Sequence, residues 1–310
     1  MKKLFKAKEA QDPGLGTSFK KSVPRMMNPD GSFNIERIGT VNGYKDFYKF
    51  LVDLSAPKFI LFVAFVFLFL NTFFALGYLI IGLDQLSGTQ ENTHPFLSAF
   101  YFSAQTFTTV GYGAIAPKGN GASLLATFEA FFGLITFSIA TGLIYGRFSR
   151  PSAKIGYSEN VIITPHKEEK AMMFKIVNLR NSVLLNTRVT VMVSMNQESA
   201  DASSFTRNYF SLPLEIDFVR FFPLTWTIVH PINEESPFYD LSLDEIQARD
   251  AEVLILIEAF DETFSQNVLQ TNSYAQEQWK ENVKFKRSFS ANDNGKIVLD
   301  IDSLNEIEEI

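Results

Sequence analysis

Thr108-Thr109-Val110-Gly111-Tyr112-Gly113 stands between two long apolar runs, directly after a shorter amphipathic one. Glycine takes positive φ without a Cβ clash, so Gly111 and Gly113 predict a backbone in left-handed angles at intervals. Such a backbone can aim successive carbonyls one way. Oxygens at that spacing can replace the hydration shell of a potassium ion, and Thr109 adds a hydroxyl at the inner end. The Tyr112 ring can wedge outward against neighbours and hold the diameter. One chain supplies one side of such a ring of oxygens, so the chemistry requires four copies on an axis. A Gly-Tyr-Gly triplet also occurs in loops of soluble proteins, and the surrounding sequence decides between the two readings.

Immediately upstream, Pro95 opens a run of about 13 residues to Phe107. Proline is tolerated in a first helical turn, but this length cannot span a bilayer. A re-entrant helix fits, because non-helical backbone survives at membrane depth only where protein or water covers it. Residues 84 to 94 are polar and read as an exposed loop. On either side lie two spans, Phe59 to Leu83 and Ala122 to Phe148. Each exceeds the roughly 20 residues that cross the hydrocarbon core. Glycines 133, 142 and 146 in the second allow close helix approach or bending. Ahead of the first, Phe47, Tyr48, Phe50, Leu51 and Leu54 recur at helical spacing beside Lys45, Asp46, Lys49 and Asp53, which suits an interfacial helix. Lysine and arginine flank the spans on one side (Lys45, Lys49, Lys58, Arg147, Arg150, Lys154), whereas the connecting loop holds Lys118, so both termini are expected to be cytoplasmic.

Beyond Pro151 short alternating strands appear, for example Phe174–Val177, Arg188–Val193, Leu224–Val229 and Glu252–Glu258. About seven of them, with the single short helix candidate Leu243–Ala248, predict an all-β sandwich. The expected organisation is a cytoplasmic, irregular arm at 1–43, an interfacial helix at 44–56, a two-span domain at 57–150 with its re-entrant helix at 95–107 and carbonyl segment at 109–113, and a cytoplasmic sandwich at 151–310.

The 310 residues include 32 phenylalanines, many of them between Phe59 and Phe148, and no cysteine. Disulfides and thiolate chemistry are thereby excluded. A net charge of −6 and a pI near 5.3 argue against a nucleic-acid partner. His94, His166 and His230 are far apart, and no Gly-x-Ser-x-Gly, His-Glu-x-x-His or P-loop occurs, nor a glycine-rich strand-to-helix turn after residue 151. An enzyme and a nucleotide-gated channel are therefore disfavoured. A two-span sensor without conduction leaves the Thr109–Gly113 stretch unexplained.

This order of elements, with Gly146-Arg147-Phe148-Ser149-Arg150-Pro151, Asn178-Leu179-Arg180, Thr227-Ile228-Val229-His230-Pro231-Ile232, Ser236-Pro237, Glu258 to Asp261 and Ser273-Tyr274, resembles the inward-rectifier potassium channels and specifically their prokaryotic branch, over about residues 33 to 290. The Thr109–Gly113 sequence by itself indicates potassium channels of any kind; the cytoplasmic motifs make the resemblance specific. It implies a homotetrameric pore of two transmembrane helices and a pore helix per subunit, an immunoglobulin-like β-sandwich, and a bacterial inner membrane. It implies potassium ions at Thr109, Val110, Gly111, Tyr112 and Gly113, with no organic cofactor.

The resemblance also places a gate at Phe137, Thr141 and Tyr145, at i, i+4 and i+8 on one helical face. The alternative is that these residues pack between helices. Steeply rectifying animal relatives carry acidic residues where this chain has Phe137 and Asn186; Glu258 is retained, and Ala259 beside Phe260 replaces a glycine at a cytoplasmic constriction. Block by barium, magnesium or polyamines is implied for the pore, but strong rectification is not expected. Gln105 stands where many relatives have a pore-helix Glu. Glu129, a carboxyl within the second span, is read as a hydrogen-bonding support behind the filter or as an ion attractor. Lys58, Arg147, Arg150 and Lys154 are expected at headgroup level, where basic clusters attract anionic lipids. The Arg-Trp-Arg run that binds phosphoinositide in animal relatives is here Ser55, Ala56 and Pro57.

Overall fold

The structure, a computed structural model, describes residues 9–19, 21, 23–39, 44–89, 93–149, 153–197 and 205–310. It divides into a helical unit, Gly39–Arg150, and a β unit made of Met1–Ile38 with Pro151–Ile310.

The helical unit contains α1 (Tyr44–Asp53), α2 (Ala56–Ile81), α3 (Pro95–Phe107) and α4 (Asn120–Phe148). At about 1.5 Å per residue, α2 and α4 exceed a hydrocarbon core of roughly 30 Å, and α3 does not. Pro57 sits in the first turn of α2 and Pro95 in that of α3, where the His94 ring accepts the Phe96 N–H at 3.2 Å. Phe74, Ala75, Tyr78, Ala99, Phe102, Phe107 and Ala122 join α2, α3 and α4 in one apolar core. Gly133 makes that contact possible, since a Cβ there would lie 2.1 Å from the Phe107 carbonyl oxygen. The loop after α2, expected to be exposed, is tied down at its base. Leu86–Ser87 pairs with Ala116–Pro117, and the Gln85 amide oxygen accepts the Gly121 and Ala122 N–H groups at 3.1 and 3.2 Å, capping α4.

The β unit is a sandwich of two sheets. In the seven-stranded sheet Phe205–Ser211, Leu184–Gln197, Glu252–Asp261 and Gln266–Tyr274 lie side by side, with Phe218–Phe222 added to Leu184–Gln197. The five-stranded sheet runs Thr225–Ile232, Glu169–Asn178, Val161–His166, Trp279–Glu281, with Ile155–Tyr157 paired to Glu169–Asn178. Val191, Val193, Val253, Ile255 and Ile257 from the first sheet meet Met172, Phe174, Ile176 and Ile228 from the second. Helix α5 (Leu243–Ala248) opens with a Ser242–Glu245 capping box.

The N-terminal arm departs from the irregular segment expected. Glu9–Ala10 and Ser18–Phe19 extend the seven-stranded sheet by pairing with Phe205–Ser211. Farther on, the Met26 and Met27 N–H groups donate to the buried Glu252 carboxylate at 2.6 and 3.0 Å, and Arg207, 1% exposed, faces the same carboxylate at 3.4 Å. A buried charge needs such partners.

Candidate functional site

The Thr109–Gly113 segment leaves the end of α3 with its first three N–H groups turned back. Thr108 donates its N–H and its hydroxyl to the Ala104 carbonyl at 3.1 and 2.7 Å. Thr109 N–H reaches Thr106 O at 3.0 Å, and Val110 and Gly111 both reach Gln105 O at 2.9 and 3.2 Å. Backbone φ is +59° at Thr109, +51° at Gly111 and +80° at Gly113, so left-handed residues alternate with Val110 and Tyr112. Alternating handedness turns neighbouring carbonyls to one side. No donor among the described residues bonds the carbonyls of Thr109, Val110, Gly111 or Tyr112. The two glycines were legible as left-handed positions; Thr109 was not, and a non-glycine there costs about 1–2 kcal/mol.

Gln105 acts on this segment through its backbone carbonyl. Glu129 lies fully buried on α4, with the Tyr78 hydroxyl at 2.6 Å and the Ser103 hydroxyl bonded to its other oxygen. Ser103 is also 3.1 Å from both the carbonyl and side-chain oxygens of Asn71, whose amide donates to Phe67 O at 2.7 Å. Asn71, Ser103, Glu129 and Tyr78 thus form one polar cluster across α2, α3 and α4, of which the sequence reading named Glu129 alone.

Phe137 and Tyr145 are each 73% exposed in the subunit, with Thr141 exposed between them and its hydroxyl on the Phe137 carbonyl at 2.9 Å. The three share a face of α4 that the subunit's own α2 and α3 leave uncovered.

Arg147 spends its guanidinium on carbonyls at the end of α1, with Nη1 at 3.4, 3.1 and 2.5 Å from the oxygens of Leu51, Val52 and Leu54, and stacks 4.8 Å from the Phe59 ring centroid. Expected at lipid headgroups, Arg147 thus clamps the exit of α1, where the Tyr48 hydroxyl also packs on Gly146. Lys58 is exposed on α2, Lys154 is exposed in the β unit, and Arg150 lies outside the described residues.

In the β unit Asn186 takes φ +48° beside an irregularity in the pairing of Leu184–Gln197 with Glu252–Asp261. Glu258 is exposed and Phe260 half-buried, but Ala259 is 5% exposed and packs in the sandwich core. Strand alternation explains this correction: Ala259 points to the opposite face from its neighbours. Glu258 also sits directly across from Arg188, which pairs with Asp217 at 3.0 Å. That cation went unnoticed in the sequence.

Comparison with known proteins bears on the whole chain. Residues 155–310 match the inward rectifier potassium channel C-terminal domain, and residues 59–150 match an ion channel domain. The inward rectifier potassium channel Kirbac3.1 of Paramagnetospirillum magnetotacticum is 33% identical over 290 residues, covering 92% of this chain and 96% of that one. G protein-activated inward rectifier potassium channel 4 of Mus musculus is 26% identical over 281 residues, covering 84% of this chain and 67% of its own. Among solved structures, the sporulation control protein Spo0M of Bacillus subtilis aligns with a TM-score of 0.22 at 11% identity over 43% of this chain and 50% of its own, too weak a likeness to bear on the fold. Matched along nearly its full length by this relative, and by the two domain families in turn, the chain belongs to the inward-rectifier potassium channel family, in the branch of Kirbac3.1.

Proposed function

We propose that four copies of this chain surround an axis through Thr109–Gly113 and pass potassium ions, dehydrated by the carbonyls of Thr109, Val110, Gly111 and Tyr112 and the Thr109 hydroxyl. One observation carries this reading: three left-handed residues alternate through the segment while the N–H groups of Thr109, Val110 and Gly111 are held by α3 and the carbonyls of Thr109 to Tyr112 meet no donor among the described residues. Oxygens left without donors at membrane depth are costly unless an ion takes them. Glu129, pinned by Tyr78 and Ser103, then serves as a support for α3 rather than as an ion attractor.

The gate lies in this reading at Phe137, Thr141 and Tyr145, where four Phe137 and four Tyr145 rings would form a constriction that excludes water. Rectification is weak. Phe137 and Asn186 bring no charge to the path, which leaves magnesium or polyamines little beyond Glu258 to hold them. Anionic lipids act through Lys58, Arg150 and Lys154. The chain resides in a bacterial inner membrane with both termini cytoplasmic, as the distribution of Lys and Arg around the spans favours.

Rubidium uptake into liposomes holding the purified protein tests this. Uptake blocked by barium and unsupported by sodium is expected. If wild-type protein and a Tyr145→Ala variant both failed to take up rubidium across a range of lipids, conduction would be refuted.

A further inference from the structure

A cavity of about 470 Å³ lies between the outer face of the five-stranded sheet and the segment around Phe285–Phe289 that folds over it. Small organic ligands occupy pockets of roughly 300–1,000 Å³. Met173, Lys175 and Thr227 share this face, Thr227 being the cross-strand partner of Lys175, while Met172, Phe174 and Ile176 point into the core. Lys175 is 4% exposed. Its ammonium donates to the Lys286 carbonyl and, at 2.8 Å, to Ser288 Oγ, and lies 5.4 Å from the Phe285 ring centroid.

Two of the four basic residues on the wall are neutralised, Lys284 by Glu308 at 3.1 Å and Lys286 by Glu306 at 3.3 Å. Lys175 and Arg287 contact no carboxylate among the described residues, and Arg287 lies against the Phe289 ring at 5.8 Å. Burial draws the Lys175 pKa down, opposed in part by the field of Glu306. A buried ammonium without a touching anion is costly. The hydroxyl of Thr164, also on the lining, is buried without a partner. Apolar body and unbalanced cations therefore face the same space.

We propose that this cavity binds a small organic anion, a phosphate or carboxylate carried on an apolar or aromatic body, with Lys175 and Arg287 taking the charge and Phe285, Phe289 and Met173 the body. The site shares no residue with those assigned to the conduction path, and its occupancy can be measured without flux. Calorimetric titration of the purified full-length channel with phenyl phosphate tests it, with inorganic phosphate and benzyl alcohol supplying the charge and the ring separately.

One saturable site per subunit is expected, at least about tenfold tighter for phenyl phosphate than for inorganic phosphate, since the ring adds buried apolar area. Lys175→Met weakens binding at least about tenfold, the loss of a charge-assisted hydrogen bond. Arg287→Gln, at an exposed position that leaves folding intact, weakens it severalfold, and decides the matter alone should Lys175→Met fail to fold. Absence of saturable binding, equal affinity for inorganic phosphate, or binding unaltered in Arg287→Gln overturns the proposal.

Discussion

The Tyr78 hydroxyl lies 2.6 Å from Glu129 Oε2, joining the first span to the second at a point where both are buried. Ser103 binds the other oxygen of the same carboxyl, so one side chain holds the pore helix α3 against α2 and α4. The carboxyl enters from α4, while Gln105 of α3 acts on Val110 and Gly111 through its backbone carbonyl.

Glu129→Ala strands the Tyr78 and Ser103 hydroxyls in a dry site, at about 1–3 kcal/mol for each unsatisfied group. The temperature at which the assembled channel dissociates in detergent is expected to fall clearly for Glu129→Ala and only slightly for Glu129→Gln, which keeps an acceptor for Tyr78. An alanine variant as heat-resistant as wild type would remove the cluster from any structural role.

Gly111 takes φ +51°, with nothing within 4 Å of a Cβ added in the subunit. Gly111→Ala therefore meets no clash within the chain, and its penalty is backbone strain of about 1–2 kcal/mol per subunit. Spread over four subunits this is expected to abolish barium-sensitive rubidium uptake while the protein still assembles. Undiminished uptake would show that the left-handed angle is not needed for conduction.

What the sequence disclosed follows from how local each signal is. The ranges Pro95–Phe107 and Leu243–Ala248 were readable to the residue, the first announced by proline at its start and the second short but apolar at Leu243 and Ile246. Gln266–Tyr274 was not readable as a strand, because Gln270, Thr271 and Asn272 break the apolar alternation and pairing with Glu252–Asp261 supplies the order. Phe205–Ser211 hid for a related reason, as its buried Arg207 looks like a surface residue until Glu252 is found opposite. In Thr109–Gly113 the glycines advertise positive φ, whereas Thr109 acquires it from the bonds to Thr106 and Gln105 that terminate α3. Arg147 reads as a headgroup cation because the carbonyls that hold it lie more than ninety residues earlier.

Arg147 carries the next prediction. Three carbonyls at the end of α1 and the Phe59 ring converge on one guanidinium, two residues beyond Tyr145. Arg147→Ala is expected to raise amide hydrogen exchange across Tyr44–Asp53 by at least about tenfold, the equivalent of one lost charge-assisted hydrogen bond. Arg147→Lys, a point charge without the planar fork, should fall between the two. If exchange in α1 were the same in all three proteins, the clamp would contribute nothing to holding the helix.

The β unit has a titratable group of its own in His230, which is 2% exposed. The Pro213 carbonyl, 2.7 Å from Nδ1, can only accept, so Nδ1 carries the proton and Nε2 accepts the Ser236 hydroxyl at 2.9 Å. This neutral ring is fully bonded, and burial lowers its pKa below the ordinary histidine value. The unfolded chain therefore binds a proton more readily than the folded one. Stability is whole above the unfolded pKa of about 6.5 and declines as pH falls from there toward the lower folded value. Glu215, held low chiefly by its hydrogen bond to Lys167, gives up its share only in the acidic range below about pH 5, so the two effects separate. The urea midpoint of the β unit in the intact channel is expected to drop between about pH 7.5 and about pH 5, and to drop less in His230→Gln. An equal drop in both proteins would assign the acid sensitivity to other groups and leave His230 as a neutral packing residue.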